Sequence, residues 1–234
     1  MNLDHYVILS KLFDYPEADY HDNVVSAANA VSKEYPEAAA ELEKFLKLLP
    51  VQTREMEELY SRSFDVQAVT TLDVGYVLFG DDYQRGEILV RLNKEHSKVG
   101  NSCGQELADH LPILLKLVPK MEDTEVRTEL VTMLIAPAVE KMMNEYTSTS
   151  MQAKDELYKK KYSTLIAPTS PLAVYLHAFN ALYIVLDKDF SLLKENKPFQ
   201  DKSFLAHITG ELEIQEGKQS SNSCGTGCGT GSCT

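Results

Sequence analysis

Apolar residues recur at intervals of three and four along most of the chain, which is the spacing of one face of an α-helix. The first such stripe consists of Leu3, Tyr6, Leu9 and Phe13. It ends at Tyr15-Pro16, because the residue before a proline is disfavoured in the helical region. Strict apolar–polar alternation, the pattern of a half-buried strand, is hard to find. The pattern predicts an all-α protein that folds as a single helical bundle.

Prolines and capping residues indicate where further helices begin. Pro36 begins one helix, and Thr53 stands where a capping hydroxyl would start the next. Ser170-Pro171 combines a capping hydroxyl with a proline at the first helical position and predicts the start of a central core helix. The remaining predicted helices cover 83–92, 107–118 and 126–146. Pro137 predicts a kink in the last of these, and 65–77 has little helical period.

The composition changes abruptly at Gln215, after which Gly, Ser, Thr and Cys predominate. Such a segment buries too little apolar surface to offset its ordering entropy. We therefore expect a helical domain over 1–214 and a flexible tail over 215–234.

Three cysteines of the tail, Cys224, Cys228 and Cys233, are thiols of the kind that soft metals prefer. Their spacings differ from the CxxC pairs of a zinc ribbon, and a fourth ligand would have to come from Cys103, a histidine or a second chain. The favoured interpretation is a tail of ordinary exposed thiols without a metal. A small metal or redox protein, holding zinc or an iron–sulfur cluster there, stays an alternative.

The charge balance is acidic, with 35 acidic and 23 basic side chains in 234 residues and a formal charge of −12. Because nucleic-acid binding depends on clustered Lys and Arg, this balance argues against DNA or RNA and favours a basic partner. Asp4 and His5 stand where an export signal would carry positive charge. The longest apolar stretch, 171–186, is shorter than the roughly 20 residues of a membrane span. We expect a cytoplasmic protein without membrane insertion.

Motifs of common enzymes are not found: the sequence contains no HExxH, no GxSxG and no GxxxxGK. Asp81 and Asp82, in FGDDYQRG, could bind a cation or act as an acid–base pair. We favour capping of the following helix by one of them, with Arg85 paired to a carboxylate. Cys103 has no evident base partner. We expect neither catalysis nor a bound cofactor.

The most distinctive segment is 59–86, LYSRSFDVQAVTTLDVGYVLFGDDYQRG. Its Tyr-x-x-x-Phe-Asp and Gly-Asp-x-x-x-Arg-Gly elements consist of Tyr60, Phe64, Asp65, Gly80, Asp81, Arg85 and Gly86. Two further elements are LSKLFDYP at 9–16 and ELADHLP at 106–112. This set resembles the NarJ family, cytoplasmic chaperones that assemble molybdenum-containing nitrate reductases, within the TorD/DmsD group of redox-enzyme maturation proteins. Ala108 stands where that family usually has proline.

The resemblance implies a helical chaperone that does no chemistry itself. Its partner would be the cofactor-free catalytic subunit of a molybdoenzyme, a nitrate reductase alpha subunit or a relative, bound through a basic N-terminal peptide similar to a twin-arginine signal. The chaperone would assist molybdenum cofactor insertion, with cofactor-delivery proteins as further partners. A non-catalytic helical scaffold is another alternative.

The resemblance also assigns roles to residues. Asp109 and His110, with Glu106 beside them, are expected at the peptide groove, where Asp109 accepts from a client arginine or amide and His110 tunes that contact. Tyr60 and Phe64 line the groove floor or pack in the core. The expected structural residues of the motifs are Asp65, Gly80, Asp81, Arg85, Gly86 and Pro112. Gly86 is expected to permit close approach of two helices.

Overall fold

The structure is a computed structural model that describes residues 2–161 and 172–192. Regular secondary structure in these residues is helical, as the apolar spacing predicts. The helices are α1 (His5–Ser10), α2 (Tyr20–Ser32), α3 (Pro36–Leu48), α4 (Thr53–Phe64), α5 (Val74–Phe79), α6 (Tyr83–Lys98), α7 (Leu111–Leu117), α8 (Thr124–Glu129), α9 (Ala136–Glu145), α10 (Ser148–Lys161) and α11 (Tyr175–Phe190). Short 3-10 turns occupy Lys11–Phe13, Val118–Lys120 and Leu172–Val174. The predicted tail, its cysteines Cys224, Cys228 and Cys233, and Ser170-Pro171 lie outside the described residues.

The helix α11 is the centre of the bundle and packs against α3 and α9, while α3 also packs against α2. Seven of its residues are buried: Tyr175, Ala178, Phe179, Ala181, Leu182, Val185 and Leu186. The ring of Phe179 lies 4.8 Å from that of Phe13, and the ring of Tyr175 lies 5.3 Å from that of Phe45, measured between centroids. Aromatic packing of this kind stabilises a core beyond the area it buries.

A buried carboxylate joins the first helix to the last. Asp189 of α11 accepts hydrogen bonds from the hydroxyls of Tyr6 (2.9 Å) and Tyr35 (2.5 Å), and His5 Nε2 lies 2.9 Å from the same carboxylate. Desolvation works against ionisation, but these bonds and the charge of His5 hold the pKa of Asp189 below its ordinary value. The carboxylate therefore ties α1 and the start of α3 to the end of α11.

Several helix boundaries differ from the sequence prediction. The helices α2 and α10 were not expected, and α5 begins at Val74 inside the segment judged to lack helical period. Thr53 is the first residue of α4 and does not cap it, since Gln52 holds the N-cap position. The predicted helix over 107–118 begins only at Leu111, because the preceding backbone is bonded to another segment, as described below.

Where the sequence predicts a kink at Pro137, the structure shows an interrupted α-helix. Between α8 and α9 the residues Leu130–Ile135 form a π-helical turn, and Pro137 stands in the first turn of α9. A proline has no N–H for the carbonyl one turn earlier, so the helix changes its hydrogen-bond register before it. None of the helices within the described ranges is long and apolar enough to cross a membrane.

Candidate functional site

Asp109 lies where two of the motif-bearing segments meet, at the centre of a network of charged side chains. Its side chain is fully buried. Its Oδ2 atom accepts one hydrogen bond from the backbone N–H of Gly75 and one from Nε of Arg85, both at 3.1 Å. This burial corrects the expectation that Asp109 contacts a client, because its donors belong to its own chain. The carboxylate instead joins α5 and α6 to the segment before α7.

Arg85 is the cation of this network. Its Nη2 donates to Oδ2 of Asp73 at 3.0 Å while its Nε donates to Asp109, so the guanidinium bridges two carboxylates. It also lies over the ring of Tyr76, 5.3 Å from the centroid. Desolvation lowers the pKa of Arg85, but the bonds and charges of both carboxylates outweigh it and raise that pKa above its ordinary value. The expected pairing with Asp81 or Asp82 is thus replaced by pairing with Asp73 and Asp109.

Asp73 and His110 face each other across an isolated antiparallel β-bridge. On either side of it the N–H of Val74 donates to the carbonyl of Asp109, and the N–H of Leu111 donates to that of Leu72, each at 2.9 Å. The His110 Nδ1 atom lies 3.3 Å from Oδ1 of Asp73. The bond from His110 is the largest cause that lowers the pKa of Asp73, and the charge of Arg85 adds to it against desolvation. Asp73 stays partly exposed, at 29% of its side chain.

Gly75 is required at its position because the backbone passes close to Asp109. A Cβ atom at Gly75 would lie 2.7 Å from Asp109 Oδ2 and 3.3 Å from Cγ of Arg85. Neither Gly75 nor Asp73 was expected at the site. The signal was available in the stretch Asp73-Val74-Gly75, where a short polar residue that can cap a helix precedes a glycine within a weakly periodic segment.

Two exposed carboxylates, those of Asp65 and Glu106, form an acidic rim near His110. Asp65 is close enough to Glu106 and His110 for their charges to act on it. Desolvation and then repulsion by Glu106 raise the pKa of Asp65, whereas His110 lowers it. Two carboxylates that repel one another favour a cation between or beside them. The rim can therefore receive a basic group from outside.

Tyr60 and Phe64 belong to the core. Both are buried, and the Tyr60 hydroxyl donates to the carbonyl of Phe13 at 3.2 Å. The ring of Phe64 packs edge-on against Tyr175, 4.7 Å between centroids. Of the two roles left open by the sequence, core packing is the one observed. Pro112 is likewise buried, in the first turn of α7.

The Gly80–Gly86 element contains the residue that caps helix α6. Asp82 caps α6, with its carboxylate accepting from the N–H of Gln84 at 3.0 Å, which confirms the expected cap. Gly80 has a φ of +67°, a conformation that favours glycine. Gly86 is exposed and a Cβ there would meet nothing within 4 Å, so the expected close helix approach at Gly86 is wrong. Asp81 is exposed at the surface.

A buried histidine holds the backbone just before the site. His96 Nε2 donates to the carbonyl of Ala108 at 3.0 Å, and its Nδ1 accepts from the amide of Asn101 at 3.0 Å. Lys120 donates to Oδ1 of Asn101 at 2.8 Å, which fixes the orientation of that amide. Desolvation is the largest cause that lowers the pKa of His96. The neutral imidazole of His96 therefore holds the backbone of Ala108 in place.

Residues 2–161 and 172–192 contain no group of three His, Cys, Asp or Glu side chains able to hold a metal ion. Cys103 is a half-buried free thiol whose pKa is raised by desolvation. The thiolate that metals and electrophiles require is therefore disfavoured at Cys103.

The chain matches no protein-family model and no curated protein sequence. The resemblance to the NarJ family therefore stays a prediction from the motif residues.

Proposed function

We propose that this protein is a cytoplasmic chaperone for a molybdoenzyme, one that binds the N-terminal peptide of the cofactor-free catalytic subunit and assists molybdenum cofactor insertion. The client would be a nitrate reductase alpha subunit or a relative. The observation that carries the proposal is the convergence of separate motif elements. Arg85 from one element and Asp109 and His110 from another meet in a single network, although 24 residues separate Arg85 from Asp109.

Convergence supports the proposal because motif residues that share one network share one task. Here the buried Asp109 and the half-buried Arg85 hold three segments together. The exposed residues around them are then presented at defined positions, which a peptide-binding surface requires.

The charge of the rim matches the proposed client. A twin-arginine-like peptide is basic, and the exposed Asp65 and Glu106, together with the partly exposed Asp73, present carboxylates on this part of the surface. Complementary charge raises the encounter rate and rejects wrong partners more than it adds affinity. We therefore assign the contact with a client arginine to the rim, and the positioning of the rim to Asp109 and Arg85.

The test is a titration by fluorescence anisotropy with a labelled synthetic peptide carrying two adjacent arginines followed by an apolar helical run. The double variant Asp65→Asn with Glu106→Gln removes two rim charges while keeping the size of each side chain. We expect its affinity for the peptide to fall by about three- to tenfold at low salt, with most of the loss in the association rate.

The matched control is Asp22→Asn with Glu43→Gln, which removes one Asp and one Glu charge from exposed positions of α2 and α3. It should bind the peptide as the parent protein does. Equal weakening by both double variants would mean that only net charge matters and would contradict a specific rim. Absence of peptide binding by the parent protein would overturn the proposed function.

A further inference from the structure

The helix α10 differs from the other long helices in having no buried residue. Its inward face is formed by the half-buried residues Met151, Lys154, Asp155 and Tyr158. A surface helix normally gains its stability by burying an apolar stripe against the core. The attachment of α10 therefore depends on polar contacts.

Two of these contacts are hydrogen bonds to backbone carbonyls. The ammonium group of Lys154 donates to the carbonyl of Val69 and also pairs with Glu145 at 3.0 Å. The hydroxyl of Tyr158 donates to the carbonyl of Ala68 at 3.0 Å. A hydrogen bond of this kind adds little net stability, because water can replace the protein donor. A ligand with equivalent donors can therefore compete with α10 for these two carbonyls.

The segment beneath α10 is a bent loop that presents two backbone carbonyls to the helix. Behind it, the N–H groups of Val69 and Thr70 donate to carbonyls at the end of α4, at 3.3 and 3.0 Å. Arg62 binds the carbonyls of the two residues that precede Ala68, at 2.7 and 2.9 Å. The carbonyls of Ala68 and Val69 are the ones that α10 covers. Without α10 they would be free to accept from the backbone of an extended peptide.

The charge of α10 is opposite to that of the whole protein. Four lysines, Lys154, Lys159, Lys160 and Lys161, lie in its last eight residues, in a chain of formal charge −12. Asp65, a member of the acidic rim, precedes Ala68 by three residues. A basic segment of the chain itself is therefore seated beside the surface assigned to a basic client.

We propose that α10 is an internal competitor for the client: a basic helix that covers the carbonyls of Ala68 and Val69 until the client's basic peptide displaces it and takes both acceptors. The inference rests on the proposed function and adds a place and a regulation to it. Such a helix covers the two carbonyls in the unloaded chaperone, and it is released only by a ligand that supplies equivalent donors and positive charge.

The variant Lys154→Met with Tyr158→Phe tests this by removing both donors while keeping most of the side-chain volume. We expect amide hydrogen exchange in α10 to accelerate while exchange in α11 is unchanged, and the twin-arginine peptide to bind about five- to tenfold more tightly. Lys159→Met is the control, since it removes the same charge from an exposed position of the same helix. It should change neither the exchange nor the affinity.

Addition of the peptide to the parent protein should also accelerate exchange in α10, because displacement frees the helix. Unchanged or slower exchange there on peptide binding would overturn the competition, as would equal affinities of the parent and the double variant. These results would leave the proposed function standing. Failure of every form to bind the peptide, even with α10 released, would overturn the proposed function and the competition together.

Discussion

At the scale of single residues, the network around Asp109 distinguishes two glycines that look alike in the sequence. A Cβ atom at Gly75 would clash with a carboxylate oxygen of Asp109, whereas a Cβ atom at Gly86 would project into open space. Both are helical residues, so the intrinsic preference for alanine over glycine is similar at the two positions. Only their surroundings differ.

We therefore expect Gly75→Ala to lower the free energy of unfolding by about 1 to 3 kcal/mol, because Asp109 or the α5 backbone must move. Gly86→Ala should raise it by about 0.5 to 1 kcal/mol, since alanine loses less backbone entropy in a helix. Urea denaturation of both variants measures the difference. A Gly75→Ala protein as stable as Gly86→Ala would mean that the close approach to Asp109 is relaxed in solution.

At the scale of elements, the loop between α6 and α7 is held by a few buried polar bonds. His96 of α6 bonds to Ala108 and Asn101, and Asn101 also donates to the carbonyl of Ile113 at 3.2 Å. The predicted helix over 107–118 is shortened here because the backbone of Asp109 and Leu111 pairs with the segment before α5. Apolar periodicity extends into this loop, but the β-bridge competes with the helix for the same backbone groups.

The stability that this loop contributes depends on pH through the protonation of His96. Its pKa is lowered from 6.5 by desolvation and by the charge of Lys120, while the bond to Ala108 and the charge of Glu95 act in the opposite direction. As the pH falls, His96 is protonated in the unfolded chain before it is protonated in the folded protein. The contribution of His96 to stability is therefore complete above about pH 6.5 and is lost as the pH falls toward the folded-state pKa. We expect the free energy of unfolding to decrease between pH 7 and pH 5.

The variant His96→Gln isolates this effect, because glutamine keeps a donor and an acceptor and does not titrate. Its unfolding free energy, measured by urea denaturation at several pH values, should depend less on pH in this window than that of the parent protein. Parallel pH profiles for the two proteins would assign the acid sensitivity to other groups.

At the scale of the whole molecule, the residues that carry the proposed function lie between Asp65 and Lys161, ahead of the predicted tail. We expect an anaerobic pull-down from respiring source cells to recover a molybdoenzyme catalytic subunit with the full-length protein and equally with a form truncated after Gly217. Mass spectrometry of the eluate identifies the client. Recovery with the full-length form alone would make the cysteine-rich tail part of client handling and would contradict the assignment to the rim and α10.

The sequence alone determined the helical class, the helix that begins at Pro36 and a cap of α6 by Asp81 or Asp82, because each depends on residues close together in the chain. Local spacing indicates which face of a helix is apolar and which residue can cap it. Two helices, α2 and α10, were missed. The helix α10 has no buried apolar stripe to reveal it, whereas α2 has one, formed by Tyr20, Val24, Ala27 and Val31, that was overlooked.

Tertiary structure alone decided which side chains are covered, and hence their roles. The sequence left two roles open for Tyr60 and Phe64, lining a groove or packing in the core. Both rings pack against Tyr175 of α11, which places them in the core. Asp109 was expected at the surface, yet it is buried because Gly75 and Arg85 approach it from segments 34 and 24 residues away. Burial depends on which elements meet, and the spacing of residues within one element carries no information about that.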